Sequence, residues 1–215
     1  MSRRKTKLPA HGRNARRRHR TRAKRYLVVC GGEVTEKDYF EHLGAQYDVQ
    51  ITVRSKIRTP AQLAEYAVKC MDDDAKNNDE QDRYAAVFVV VDVDDFHDHS
   101  KAQRICKQNG IQLIISNPCF EVWLIDHVQQ CPDSHTSTPD VERYAASLGV
   151  TTGPRHKYVE FSHIDGHLSD AVRNARRHNT QGRLPHRRQL TAGQESQYAP
   201  WTDVADMVND IIPSL

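Results

Sequence analysis

The chain has 215 residues, 38% hydrophobic and 27% charged, which is typical of a globular protein with one well-buried core. Its net charge of +3 conceals an asymmetry: residues 1–25 hold twelve Lys or Arg and no acid, so the remainder carries a net charge of −9. No secretory leader or membrane-spanning stretch is visible, and the five scattered cysteines lack zinc-site spacing. We therefore expect a cytoplasmic protein with reduced thiols.

The basic tail, residues 1–25, has no apolar periodicity and is predicted to be disordered until it meets an anion. Its charge density favours contacts with the phosphates of DNA or RNA. The arginines expected to make these contacts are Arg16, Arg17, Arg18, Arg20 and Arg22. A solubilising tail, or a tail that contacts the acidic body of the same chain, is the alternative.

The first half of the body alternates apolar runs with amphipathic stretches. The patterns predict a strand at 26–30, a helix at 36–45, a strand at 50–53 and a helix that begins at Pro60. Thr35 is expected to cap the first of these helices. The polar, acidic residues 71–83 are predicted to form a surface loop.

The same alternation continues through residue 130. The patterns predict a strand at 85–91, a helix at 101–108, a strand at 111–116 and a largely buried helix at 119–128. This order predicts an α/β fold, Rossmann-like in type, with a mainly parallel sheet and helices on both faces. Residues 131–215 are expected to form a helical extension packed on the 26–130 core. Its helices are predicted at 139–148, 167–179 and 201–212, with 149–166 irregular.

The strongest functional signal is AAVFVVVDVDD, a buried strand that ends in Asp92, Asp94 and Asp95. Glu33 follows the first strand, and parallel strands bring their carboxyl ends to the edge of the sheet where ligands bind. Asp92 and Asp94 are two residues apart, so they share a face if the chain stays extended. Clustered carboxylates of this kind favour a Mg²⁺ site, and a solvated strand end is the alternative.

Other charged residues allow two interpretations each. Glu121, near the start of the buried helix, is either a further metal ligand or an acid favoured by the helix dipole. Surface exposure is the default interpretation of Lys157, and a bound phosphate is the alternative. Arg173, Arg176 and Arg177 share one side of a helix and either grip a nucleic-acid backbone or form a solvated face.

Four segments carry a resemblance to a known family. LVVCGGEVTEKDYF, VVVDVDDFHDH, ISNPCFEVWLIDH and YAPWTDVADMV are similar to segments of the RloB family, whose members occur with restriction and abortive-infection loci and are regarded as Toprim-like. The resemblance implies a Toprim-like sheet and a Mg²⁺- or Mn²⁺-dependent nuclease of antiphage defence. Its substrate would be DNA or RNA, with tRNA included, and an ABC/SMC-like ATPase would be its partner. No membrane association is implied, and the oligomeric state is left open.

The carboxylate cluster, taken together with this resemblance, suggests roles for individual residues. Glu33, Asp92 and Asp94 would be catalytic, and the metal ligands would come from Glu33, Asp92, Asp94, Asp95 and Glu121.

One position departs from the family pattern. The family reads CEGExTE where this chain has CGGEVTE, so Gly31 stands in place of the expected glutamate. If that glutamate is the general base, either Glu33 substitutes for it or the chain is a catalytically impaired module that binds nucleic acid or a partner. A nucleotidyl-transfer or sensor role is a third hypothesis, because a fold does not fix a function.

Overall fold

The structure is a computed structural model that describes residues 23–93, 96–178 and 198–212. Its strands are β1 (Arg25–Cys30), β2 (Gln50–Ser55), β3 (Tyr84–Asp92), β4 (Gln112–Asn117), β5 (Thr151–Thr152), β6 (Tyr158–Val159) and β7 (Trp201–Thr202). Its helices are α1 (Thr35–Gln46), α2 (Pro60–Asn77), α3 (His99–Gln108), α4 (Glu121–Val128), α5 (Thr138–Ser147), α6 (Phe161–Ile164), α7 (Leu168–His178) and α8 (Val204–Ile211). No helix of the described residues is long and apolar enough to cross a membrane.

The central sheet has the strand order β2-β1-β3-β4-β7. The first four strands run parallel, and β7 pairs antiparallel with β4. The parallel strands at its centre are buried on both faces, which explains why β1 and β3 read as unbroken apolar runs. The predicted mainly parallel α/β fold is confirmed, and the carboxyl ends of β1 and β3 lie side by side.

Helices cover both faces of this sheet, as predicted. On one face, Leu27 and Val29 of β1 pack with Leu63 and Ala67 of α2, and α3 adds to the same cluster. On the other face, the alternate strand residues pack with helices α1, α4, α7 and α8. A side chain's position along its strand therefore decides which helix layer it meets.

The predicted loop at 71–83 is wrong in its first half, because α2 continues to Asn77. Asp74 is only 8% exposed. It accepts hydrogen bonds from Arg25 Nη1 at 3.1 Å and from the Tyr84 backbone nitrogen at 3.0 Å. An acid within a polar run is thus held against the sheet by partners far away in sequence, and local composition does not reveal them.

Three further sequence predictions are corrected. Thr35 does not cap α1, because it lies buried in the first turn and Val34 holds the N-cap position. Trp201 begins a strand, not a helix, and α8 starts at Val204. The segment 149–166 contains the small β5–β6 pair and α6. The boundary at residue 130 stays a prediction, although β7 adds to the same sheet as β1–β4.

Candidate functional site

A cleft with a volume of about 360 Å³ lies at the carboxyl ends of β1 and β3. Parallel pairing of Cys30 with Val90 places the loop after β1 beside the end of β3. The cleft is lined by residues 31–36, Ile57, Arg58, Pro60, Leu63, Val91, Asp92, Phe96, Glu121 and Lys157. Residues that the sequence predicted from four separate segments thus meet at one cavity, at the edge where open α/β sheets bind ligands.

Glu33 and Asp92 lie at different depths in this cleft. Glu33 is exposed in the loop after β1, whereas Asp92 is the half-buried last residue of β3. Burial raises the pKa of the nearby Cys30 and Cys119 thiols, and the charge of Asp92 adds to the rise at both. Asp94 and Asp95 lie outside the described residues.

Glu36 is a buried acid of the cleft wall, and the sequence predictions did not assign it a role. It occupies the first turn of α1 and is 8% exposed. The backbone N–H of Gly32 donates a hydrogen bond to its Oε1 at 3.0 Å. A Cβ atom on Gly32 would lie 1.6 Å from Glu36 Oε2, so this approach requires glycine.

The surroundings of Glu36 raise its pKa towards neutral pH. Burial, followed by repulsion from Glu121, raises the pKa of Glu36 from 4.5 to about 7. Its backbone hydrogen bonds and Lys157 oppose the rise. A carboxyl group with such a pKa can both take up and release a proton near neutral pH.

Lys157 forms a bridge between two carboxylates. Its Nζ donates to Glu121 Oε1 at 3.2 Å and to Glu142 Oε1 at 2.6 Å, and Glu121 is 2% exposed. The Thr35 hydroxyl donates to the Lys157 carbonyl oxygen at 2.9 Å, which fixes the backbone as well. Burial acts to lower the pKa of Lys157, but Glu121 and Glu142 outweigh it and hold the pKa above its ordinary value. Glu121 is therefore already neutralised by a protein cation.

The predicted arginine surface lies elsewhere. Arg173, Arg176 and Arg177 are exposed on α7, which packs on α4, and none of them lines the cleft. Arg173 pairs with Asp170 of its own helix. The predicted contacts of the basic tail, Arg16, Arg17, Arg18, Arg20 and Arg22, lie outside the described residues.

The predicted metal ligands are not assembled by the described part of the chain alone. Within residues 23–93, 96–178 and 198–212, no group of three or more His, Cys, Asp or Glu side chains is arranged to hold a metal ion. Glu33 and Asp92 supply carboxylate oxygens to the cleft, but Glu121 is bound to Lys157. A three-carboxylate site at this position would need Asp94 or Asp95.

Comparison with known proteins gives one match. A family model described as "RloB: RloB-like protein" matches residues 26–211, from the start of β1 to the end of α8. No curated protein and no solved structure matches the chain. The matched range includes every described residue that lines the cleft.

Proposed function

The chain belongs to the RloB-like family, and on that premise we propose that it is a metal-dependent nuclease that hydrolyses phosphodiester bonds of DNA or RNA. The observation that carries this proposal is the cleft at the carboxyl ends of β1 and β3. Four acids line it, namely Glu33 from the loop after β1, Glu36 from α1, Asp92 from β3 and Glu121 from α4, and Lys157 adds a cation. Such a concentration of acids at a ligand-binding sheet edge favours phosphate chemistry over a purely structural role.

Mg²⁺ or Mn²⁺ is the cofactor that this donor set favours. Glu33, Asp92 and Asp94 would hold it, because carboxylate oxygens are the ligands these hard cations prefer. When bound, the ion would stabilise negative charge on the phosphoryl oxygens and activate the attacking water. Glu121 would stay with Lys157 and fix that lysine at the cleft wall.

Glu36 is the group we propose to move a proton. Its carboxylate is held in place by Gly32 and lies in the same cleft as Asp92. With a pKa of about 7 it is partly ionised at neutral pH and can accept a proton from water. In the family pattern a glutamate stands at position 31, where this chain has Gly31. We propose that Glu36 carries out the proton transfer of that absent glutamate.

Cleavage assays test the proposal directly. We expect the full-length protein to cleave at least one of plasmid, single-stranded DNA, RNA or tRNA with Mg²⁺ or Mn²⁺, and to cleave none in EDTA. Asp92→Asn should reduce the rate at least about 100-fold, the scale expected for loss of one electrostatic catalytic group. Asp72→Asn, on an exposed position of α2, is the matched control. Absence of cleavage of every substrate by the wild type would contradict the proposal.

A non-catalytic binding module is the second candidate function. Gly31 and the Glu121–Lys157 bridge favour it, because Gly31 leaves the cleft without the glutamate of the family pattern and the bridge leaves Glu121 bound to a lysine. Among the described residues, a Cβ atom on Gly31 would meet only Leu63 Cδ1 at 3.7 Å, an ordinary contact, so the backbone at this position tolerates a side chain. Cleavage that appears in Gly31→Glu, but not in Gly31→Gln or the wild type, would support this second function.

We also propose a setting for the nuclease, on the family resemblance alone. It would act in the cytoplasm as part of antiphage defence, with an ABC/SMC-like ATPase as partner. Plaque assays on cells that carry the chain together with an ATPase gene encoded beside it test this. Protection should require both proteins and should be lost with Asp92→Asn.

A further inference from the structure

We propose, on the basis of the function proposed above, that a single strand of nucleic acid enters the cleft across the basic edge, the surface formed by Arg54, Lys56, Ile57, Arg58 and Tyr66. In this arrangement the three cations hold successive phosphates, and Ile57 contacts a base at the mouth of the cleft.

The sheet determines where the basic edge lies. Strand β2 is the last strand on one side of the sheet, next to β1. Its Ile51 and Val53 pack with the α1 layer, so the alternate residue Arg54 lies towards the α2 face. Lys56 follows two positions later, just beyond the strand, and both cations are exposed. The edge therefore carries a row of charge that leads towards the cleft.

The ring of Tyr66 in α2 contacts two cations of the basic edge, Lys56 and Arg58. Lys56 Nζ lies 5.7 Å from the ring centroid, and Arg58 Cζ lies 5.5 Å from it. Burial raises the pKa of the Tyr66 phenol, and the charges of Arg54 and Arg58 act against that rise. Cation–π contacts of this kind orient a cation without neutralising it, so its charge stays available to a phosphate.

The cations of the basic edge differ from Lys157 in the cleft and from Arg173 on α7. Lys157 is bound to two carboxylates, and Arg173 to Asp170. Within the described ranges, Arg54, Lys56 and Arg58 form no ion pair with a carboxylate. A phosphodiester can therefore bind them without displacing a protein partner, and Arg58 lines the same cleft as Asp92.

Ile57 distinguishes a single strand from a duplex. It is 78% exposed, lies between Lys56 and Arg58, and lines the cleft. A duplex would offer this surface its phosphates and keep its bases stacked inside. A single strand offers both phosphates and base faces, which matches cations interleaved with an apolar side chain.

Binding measurements on the full-length protein test the basic edge. The probe is a labelled 20-nucleotide oligothymidylate, with EDTA present so that nothing is cleaved, and its affinity is followed as the salt concentration rises. Replacement of Arg54, Lys56 and Arg58 by Gln should reduce the slope of log affinity against log salt by about 2, since each phosphate contact of a single strand contributes about 0.7. The charge-matched control replaces exposed Lys76, Arg104 and Lys107 by Gln and should leave the slope unchanged.

A second variant tests the choice of ligand. Ile57→Ser should weaken binding of the single strand about fivefold, through loss of apolar contact, and leave binding of a duplex of equal length unchanged. Equal loss on both probes would overturn the assignment to a single strand. Equal slopes for the edge variant and its control would overturn the basic edge, as would a larger slope change when Arg173, Arg176 and Arg177 are replaced.

The two proposals can fail separately. If the wild type binds the single strand through the basic edge but cleaves no substrate, the nuclease proposal is wrong and the proposed role of the basic edge in binding is supported. If the wild type cleaves a single strand and the variant of the basic edge cleaves it at the same rate, the binding role of the basic edge is wrong and the nuclease proposal is supported.

Discussion

The two walls of the cleft differ in how their charged groups are compensated. On the inner wall, formed by Glu36, Glu121 and Lys157, the two acids are buried and every charged group is bound to a protein partner. The outer wall, formed by Ile57 and Arg58, is exposed, and its cation rests on an aromatic ring. A buried charge must be compensated by a partner within the protein, whereas an exposed charge is solvated and stays available to a ligand. The inner wall should therefore govern stability and the outer wall binding.

The largest expected effect is a pH dependence of stability at the inner wall. The pKa of Glu36 rises from 4.5 to about 7 on folding, because burial and then Glu121 disfavour its ionised form. Between these pH values the folded protein binds more protons than the unfolded chain, so the free energy of unfolding falls as the pH rises. The loss from this group should reach up to about 3 kcal/mol by pH 7. Denaturant titrations between pH 4.5 and 7.5 measure it.

The matched variant for this effect is Glu36→Gln. Its amide oxygen can still accept the hydrogen bond from Gly32, but the group no longer titrates. The pH dependence between 4.5 and 7 should become shallower by the amount assigned to Glu36. An unchanged profile would show that another group titrates in this range.

Removal of the inner-wall cation should have the next largest effect. Lys157→Met leaves Glu121, which is 2% exposed, without its counter-charge and should lower the free energy of unfolding by about 2 kcal/mol at pH 7. A double-mutant cycle with Glu121→Gln measures the coupling. Additive losses would mean that the pair is not coupled.

Two adjacent glycines provide a smaller and sharper contrast. Gly32→Ala places a methyl group on the Glu36 carboxylate and should cost about 1–2 kcal/mol, as overpacking usually does. In the part of the chain that the structure describes, Gly31→Ala meets only Leu63, at 3.7 Å, and should be neutral or stabilise by about 0.5 kcal/mol. Thermal unfolding of both variants compares them. Equal losses would contradict the position assigned to the Glu36 side chain.

The smallest effect is expected at the outer wall. Ile57→Ser removes a side chain that is 78% exposed, so the free energy of unfolding should change by less than about 0.5 kcal/mol. Denaturant titration at pH 7 checks this. A larger loss of unfolding free energy would mean that Ile57 contributes to the core. The outer wall would then govern stability as well as binding.

Local patterns were sufficient for most of the fold. The apolar runs of β1 and β3 and the start of α2 at Pro60 follow directly from neighbouring residues. Parallel topology then brings Glu33 and Asp92 to one edge. Asp74 escaped prediction because its partner Arg25 is 49 residues away in the sequence.

Two features of the inner wall show why the candidate site was predicted only in part. Glu36 carries a signal that was overlooked, since it precedes Tyr39, Phe40 and Leu43 at helical spacing and so lies in the buried stripe of α1. Lys157 carries no such signal. Its bridge to Glu121 depends on where the β5–β6 pair lies against α1 and α4, which no local pattern specifies.

The position of β2 at the border of the sheet has a consequence for solubility. A strand with an open side can recruit a strand from another molecule, and charged side chains along it oppose such pairing. Arg54 and Lys56 repel the same residues of a second copy, and at the opposite border β7 has only two residues. The cations proposed to hold phosphate would thus also keep copies of the protein apart. Their replacement should make aggregation more rapid even where stability is unchanged.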